Sequence, residues 1–247
     1  MKRIALYISL AALGCSLLSA VPPPASAALP YCGTGGNYHD GFGKDPNGNW
    51  AAYGVSAQVR VQFGAVCSVG DTSQANFTNA WTMLSSHFGG GWAQTGYIRW
   101  YNHVTVHFSQ WVASPGGASG TKFGATTLYR DELHQYWTLR AASPNCPKTS
   151  QCLVGHVDQT TWFYTDFDPV GPWSTPFRQQ YYGETGYGES DVPGVSTAKT
   201  GFNYMQYVNS NNTWTTEGCG LITLNEIGRW ANETISCSWR RIWTALP

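Results

Sequence analysis

Apolar and polar residues alternate over short stretches of this chain, which is the pattern of β-strands with one buried face. In the stretch 52–66, one face carries only apolar residues: Val55, Ala57, Val59, Val61 and Phe63. Similar stretches, bounded by clusters of Gly, Pro, Asn and Ser, predict strands at 76–85, 92–101, 104–113, 126–141, 153–158, 161–166, 179–185 and 202–207. Only 131–139 and 221–231 are candidates for short helices.

This succession of short strands predicts an all-β fold, an antiparallel double-sheet β-sandwich of jelly-roll or concanavalin-like type. Residues 28–50 are rich in Gly and Asn, which predicts an irregular N-terminal segment. Because no repeat or linker interrupts the remaining chain, residues 51–247 are expected to form a single sandwich domain.

Residues 1–27 have the three parts of a cleavable secretion signal. Two basic residues precede an uncharged apolar run over residues 4–21, and the small-residue triplet Ala25-Ser26-Ala27 comes after it. We therefore predict cleavage before Ala28 and a secreted, extracellular protein that is not attached to a membrane. The alternatives are a membrane anchor and a lipoprotein signal that ends at Cys15.

Six cysteines lie beyond the predicted signal, and an even number in an exported chain predicts disulfides that staple the fold. The sequence alone does not decide which of the possible connectivities is used. We expect sequence neighbours to pair: Cys32 with Cys67, Cys146 with Cys152, and Cys219 with Cys237.

The charge of the chain argues against a nucleic-acid partner. Without the signal, 12 basic residues stand against 14 acidic ones, and no basic stripe occurs. His103 and His107 could share one strand face, but no third metal ligand accompanies them, so a surface strand is the simpler interpretation.

One predicted strand carries a polar residue between an aromatic residue and a glycine. Alternation places Trp92, Gln94 and Gly96 on one face of the strand at 92–101. A glycine inside a strand often marks close approach by another backbone or by a ligand. Gln94 is therefore exposed on a solvated face, hydrogen-bonded or functional, since burial without a partner is costly.

A second predicted strand carries a carboxylate beside a glycine. Alternation places Gln180, Tyr182 and Glu184 on one face of the strand at 179–185, with Gly183 between the last two. The same three interpretations apply to Glu184, and a solvated sheet face is the simplest of them.

These motifs resemble the glutamic peptidase superfamily, which includes the eqolisins and the neprosin-like enzymes. Asn79-Ala80-Trp81, then Gln94-Thr95-Gly96, then His107-Phe108-Ser109-Gln110-Trp111 are similar to eqolisin strands. Tyr182-Gly183-Glu184, with Val192-Pro193-Gly194 behind it, is similar to the Gly-Glu strand of neprosin-like enzymes. The resemblance covers about residues 50–208.

The resemblance implies an endopeptidase that acts on extended polypeptide, with a bias to acidic pH and without metal or cofactor. Glu184 would take a proton from a water held between it and Gln94 and return the proton to the leaving amine. The Gln94 amide would donate to the developing oxyanion. Trp92, Tyr182 and Gln180 would line the groove and bind the substrate.

Two other functions are compatible with the sequence. A lectin-like sandwich would use the abundant aromatic residues to bind carbohydrate. A glycoside hydrolase on the same architecture would need a second carboxylate roughly 5–10 Å from Glu184, and Glu132, Glu189 and Asp191 are candidates.

Overall fold

The computed structural model describes residues 35–44, 53–67, 76–86, 90–173, 177–187, 190–228 and 230–245. Sixteen strands lie within these ranges, and no helix does. In particular, this part of the chain contains no helix with the length and apolar character needed to cross a membrane. The predicted signal at 1–27 and Cys32 lie outside the described residues.

The strands are β1 (Gly35–Lys44), β2 (Gly54–Arg60), β3 (Phe77–Ser86), β4 (Trp92–Trp100), β5 (Thr105–Val112), β6 (Ser119–Thr127), β7 (Leu133–Ala142), β8 (Gln151–Val157), β9 (Thr160–Tyr164), β10 (Phe177–Tyr187), β11 (Gly194–Val195), β12 (Ala198–Val208), β13 (Trp214–Thr216), β14 (Ile222–Asn225), β15 (Trp230–Ser236) and β16 (Trp239–Thr244).

The described strands form two sheets. A seven-stranded sheet has the order β14-β1-β10-β3-β4-β5-β6, and a nine-stranded sheet has the order β15-β16-β11-β12-β2-β7-β8-β9, with β13 beside β12. Among these strands, only β11 and β16 pair in parallel. The prediction of an all-β, double-sheet sandwich is confirmed.

Three local predictions are wrong, each because tertiary pairing overrides a weak local signal. Part of the segment predicted to be irregular, 28–50, is strand β1, which pairs with β10 on one side and β14 on the other. At 131–139 the strand that we predicted over 126–141 is confirmed from Leu133 onward by β7, and the alternative of a short helix is wrong. The helix candidate at 221–231 contains β14 and the start of β15.

The core lies between the two sheets. It contains Val55, Val59 and Tyr136 from the nine-stranded sheet and Leu84, Tyr97 and Tyr181 from the seven-stranded sheet. Hydroxyl groups also bridge the sheets: Tyr97 Oη lies 3.2 Å from Thr200 Oγ1, and Thr138 Oγ1 donates to Thr95 Oγ1 at 3.1 Å. These contacts fix which face of each sheet points inward.

The seven-stranded sheet is also apolar on its other face. Trp81, Ile98, Val106 and Phe108 form a second buried cluster there, apart from the core. A face of this kind is unusual for an antiparallel sheet, whose outer face is commonly polar and solvated. The candidate functional residues lie on this outer face.

Two of the predicted disulfides are present. Cys146 bonds to Cys152, and Cys219 bonds to Cys237. Cys67 is also disulfide-bonded, while its predicted partner Cys32 lies outside the described residues.

A buried carboxylate, Glu217, lies under the inner face of β10. Its side chain is 3% exposed, and its Oε1 accepts hydrogen bonds from Tyr181 Oη at 2.8 Å and from Gln179 Nε2. Burial raises the pKa of Glu217 to about 7, against the opposing effect of these hydrogen bonds and of the Lys44 and Arg240 charges. The folded protein therefore favours protonated Glu217.

Replacement of Glu217 by Gln should remove part of the pH dependence of stability. The pKa of Glu217 is about 7 in the folded protein and about 4.5 in the unfolded chain. The folded state therefore binds the proton more tightly. This stabilises the fold fully below about pH 4.5, and the contribution is lost as the pH rises through about 7. Relative to Glu217→Gln, the wild-type free energy of unfolding should fall by about 3 kcal/mol between pH 4 and pH 8. Urea unfolding at both pH values measures this, with Glu132→Gln as the control. If the difference in free energy of unfolding between wild type and Glu217→Gln is the same at both pH values, the prediction is wrong.

Candidate active site

Strand register brings three polar residues into line on the outer face of the seven-stranded sheet. Glu184 of β10 lies opposite His39 of β1 and opposite Asn79 of β3. Side chains of directly opposed residues in an antiparallel pair are neighbours. Glu184 is therefore flanked by an imidazole on one side and a carboxamide on the other.

Donors from β3 hold one oxygen of Glu184. Trp81 Nε1 donates to Glu184 Oε2 at 2.8 Å, and Asn79 Nδ2 donates to the same oxygen at 3.4 Å. The other oxygen, Oε1, faces His39 Nε2 at 3.9 Å. Oε2 therefore accepts hydrogen bonds from two fixed donors, whereas Oε1 accepts none among the described contacts.

Glu184 is buried, with 6% of its surface exposed, so the prediction of a solvated face does not hold for it. Burial raises the pKa of Glu184, and the charge of His39 and the hydrogen bonds from Trp81 and Asn79 oppose that rise. A carboxyl group balanced in this way can exchange a proton with a bound substrate or water.

Gln94 is also buried, with 5% of its surface exposed. It lies on β4 opposite Met83 of β3 and Gln110 of β5. Its Nε2 donates to Gln110 Oε1 at 3.3 Å, which fixes the orientation of the amide. The interpretation of Gln94 as hydrogen-bonded therefore replaces that of a solvated position.

Gln94 and Glu184 line the same cleft, which has a volume of about 610 Å³. The register separates them by two strands and four residues along the strand, which corresponds to roughly 10 Å and roughly 13 Å. Among the described contacts they share no hydrogen-bond partner. Trp81 lies on the strand between them, so a group bridging the two would lie above the indole.

Gly96 allows this arrangement of β3 and β4. It lies opposite Trp81, and a Cβ there would come within 2.1 Å of Ala80 O and 2.7 Å of Trp81 Cα. The close approach predicted from a glycine inside the strand is therefore an approach to backbone.

The cleft is mostly apolar and aromatic. Its aromatic lining residues are Phe77, Trp81, Trp92, Trp100, Phe108 and Phe123. The titratable groups among its described lining residues are His39 and Glu184. Ligand sites commonly combine such an apolar lining with a few fixed polar groups.

The three predicted substrate-binding residues occupy different positions. Trp92 lines the cleft. Tyr182 is not among the described lining residues of the cleft, and its ring centroid lies 5.3 Å from that of Trp81 and 6.0 Å from that of His39. Gln180 Nε2 donates to Ser85 Oγ at 3.3 Å, further along β10.

Two residues of the site, His39 and Glu226, were not predicted from the sequence. His39 lies in the segment predicted to be irregular, so its register with Glu184 had no signal in the sequence. Glu226 comes directly after β14, and its Oε2 lies 3.2 Å from His39 Nδ1. Asn79 belongs to a recognised motif and shares the parity of Trp81 along β3, which could have placed it on this face.

The candidate second carboxylates do not join Glu184 in the cleft where they are described. Glu132 accepts from the Tyr129 N–H at 2.8 Å in the turn before β7. The Asp191 N–H donates to Ala65 O at 2.8 Å, and Asp191 is absent from the lining. Glu189 lies outside the described residues.

His103 and His107 do not form a common site. His103 lies in an exposed turn against Arg99, whereas His107 is buried with its Nδ1 2.8 Å from Tyr136 Oη. The interpretation as one surface face is therefore wrong for His107, which turns toward the edge of the core. No group of three or more His, Cys, Asp or Glu suited to a metal ion occurs within the described ranges.

Solved structures with the same architecture include scytalido-glutamic peptidase with a transition state analog inhibitor. That structure matches with a TM-score of 0.58 and 11% identity, over 85% of this chain and 100% of the peptidase. This chain has the fold of the glutamic peptidases. SCP-B, a member of the eqolisin family in complex with the tripeptide Ala-Ile-His, matches with a TM-score of 0.53 and 9% identity, over 85% of this chain and 100% of SCP-B.

The likeness to the glutamic peptidases is one of fold. A second scytalido-glutamic peptidase structure, with a peptide-based transition state analog, has a TM-score of 0.54 and 12% identity, over 85% of this chain and all of the peptidase. No model of a known family matches the sequence, and no curated protein matches it either.

Replacement of Trp81 by Phe should raise the pKa of Glu184 further, because the indole N–H stabilises the ionised carboxylate. NMR titration of ¹³C-labelled glutamate side chains would measure this, with Glu184→Gln assigning the resonance. Trp100→Phe is the matched control, since Trp100 lines the cleft but has no bond to Glu184. An unchanged Glu184 titration in Trp81→Phe would show that the indole does not stabilise the carboxylate.

Proposed function

We propose that this protein is a secreted, metal-independent peptidase of the glutamic type, with Glu184 as its general base. The proposal rests on the burial and the hydrogen bonds of the Glu184 side chain. It is a buried carboxyl with one oxygen held by Trp81 and Asn79 and the other facing the cleft, on a fold shared with glutamic peptidases.

In the proposed reaction, Glu184 Oε1 takes a proton from a water molecule whose oxygen bonds to the carbonyl carbon of the substrate. The tetrahedral intermediate then loses its amine, which receives a proton as the C–N bond breaks. The Trp81 and Asn79 hydrogen bonds keep Oε2 occupied, so Oε1 is the oxygen that exchanges the proton.

Gln94 is the proposed oxyanion donor. Its Nε2 is held by Gln110 at 3.3 Å within the cleft, and an amide donates a hydrogen bond without change of charge. The separation from Glu184 requires the scissile peptide to lie across Trp81, with its carbonyl oxygen toward Gln94. A preorganised donor of this kind is worth roughly 3–4 kcal/mol.

The proposed substrate is extended polypeptide with apolar side chains near the scissile bond. The cleft offers several aromatic surfaces and, among its described lining residues, two titratable groups. Trp92 would contact the substrate directly, while Tyr182 and Gln180 would act at the margin of the site. The peptide-like ligands of the scytalido-glutamic peptidase and SCP-B structures support the choice of polypeptide.

The geometry supports the alternatives less well. A glycoside hydrolase needs paired carboxyl groups, whereas Glu184 is the one carboxylate among the described lining residues. A carbohydrate platform needs coplanar exposed rings, but the pair of Trp137 and Trp214 on the nine-stranded sheet meets at 60°.

Export of the protein is part of the proposal. Disulfides persist in oxidising compartments, and two are formed within the described chain. The predicted signal at residues 1–27 would direct the export.

Replacement of Glu184 by Gln should lower the kcat/KM for an unfolded protein substrate by roughly 10²- to 10⁴-fold while the fold is kept. Wild-type activity should rise with pH through the pKa of Glu184, since only the carboxylate accepts a proton. Degradation of denatured casein from pH 3 to pH 8, with and without EDTA, measures both effects. Proteolysis retained in Glu184→Gln, or lost in EDTA, would rule out the proposal; Glu132→Gln is the control.

Replacement of Gln94 by Ala should lower kcat by roughly 10²- to 10³-fold with little change in KM, as expected for a group that acts on the transition state. A fluorogenic peptide assay gives both constants. Gln58→Ala, on β2 of the nine-stranded sheet, is the matched control. A change confined to KM would instead assign Gln94 to substrate binding.

A further inference from the structure

His39 is held by Glu226 through both backbone and side chain. The His39 N–H donates to Glu226 Oε2 at 2.7 Å, and the Glu226 N–H donates to His39 O at 3.1 Å. The same Oε2 lies 3.2 Å from His39 Nδ1. Because a carboxylate only accepts, this contact requires the proton of the imidazole on Nδ1. Nε2 is then the nitrogen free to exchange a proton.

His39 Nε2 points toward the unoccupied oxygen of Glu184. The distance to Oε1 is 3.9 Å, which is too long for a direct hydrogen bond. The His39 side chain is 27% exposed and lines the cleft. A substrate nitrogen above Glu184 would therefore have both Oε1 and Nε2 beside it.

The surroundings of His39 contain few charges. Among the described residues, the charged groups that face it are Glu184 from β10 and Glu226 from the segment after β14. Trp81 and Tyr182, which contact its ring, are uncharged. Because Nδ1 is held by Glu226, the second proton of a protonated His39 lies on Nε2, which can then act as an acid.

We propose that His39 is a second acid–base residue of the peptidase, positioned by Glu226, and this inference rests on the proposed function. As water attacks, Glu184 takes its proton. As the C–N bond breaks, protonated His39 gives the Nε2 proton to the leaving nitrogen. Glu184 then releases its proton to solvent and His39 takes one up from solvent, which restores both groups without any net change in protons. In this scheme Glu184 acts only as the base, and His39 acts as the acid.

The test compares two substrates with the same peptide but different leaving groups. An amine must be protonated to leave, whereas an activated phenyl ester leaves unaided. His39→Gln should lower kcat for the amide by roughly 10²-fold and leave kcat for the ester within about twofold. Glu184→Gln should lower both. His103→Gln, in an exposed turn, is the matched control and should change neither.

Glu226→Gln provides a second measurement in a variant that keeps the imidazole. This variant removes the carboxylate that holds His39 Nδ1. It should therefore lower kcat for the amide and leave kcat for the ester within about twofold.

Several outcomes would overturn the inference. Equal loss of amide and ester hydrolysis in His39→Gln would mean that the ring only packs against Trp81. Equal loss of amide and ester hydrolysis in Glu226→Gln would have the same meaning. Either result leaves Glu184 as the base, whereas activity retained in Glu184→Gln removes the proposed function itself.

Discussion

Burial of a carboxylate in an apolar sheet face is the constraint on which the rest of the site depends. Such burial is unfavourable unless donors compensate the charge, and the donors here come from the neighbouring strand β3. Trp81 and Asn79 both donate hydrogen bonds to Oε2 of Glu184. The second oxygen, Oε1, has no such fixed donor among the described contacts and faces His39. The geometry requires one strand register, and Gly96 permits it by leaving room for the backbone of Trp81.

The seven-stranded sheet has two apolar faces with different purposes. The inner face packs on the nine-stranded sheet, while the outer face forms the cleft. Strand β10 contributes to both, since it presents Glu184 outward and contacts Glu217 inward through Tyr181. The pKa values of both carboxyls are raised by burial. Protons therefore stabilise the fold, whereas the proposed catalysis requires a deprotonated Glu184.

The sequence predicted the sandwich and most strands because apolar residues alternate along β2 and because clusters of turn residues separate the other strands. It also placed Gln94 and Glu184 on strand faces through their parity. It could not predict β1, whose glycines and asparagine resemble a loop and whose pairing depends on β10 and β14. His39 and Glu226 were not predicted for the same reason, because they come into contact only through the pairing of β1 with β10 and β14. Alternation along a strand also does not indicate how far apart two residues are. The separation between Gln94 and Glu184 therefore follows only from the strand register.

The central claim is that a peptide lies across Trp81, between Glu184 and Gln94. A crystal structure of Glu184→Gln with an uncleaved apolar peptide tests it most directly. The account predicts the scissile carbonyl carbon above the Trp81 indole, its oxygen within hydrogen-bond reach of Gln94 Nε2, and its nitrogen beside His39. A peptide seated elsewhere, or one that contacts neither Gln94 nor residue 184, would contradict it.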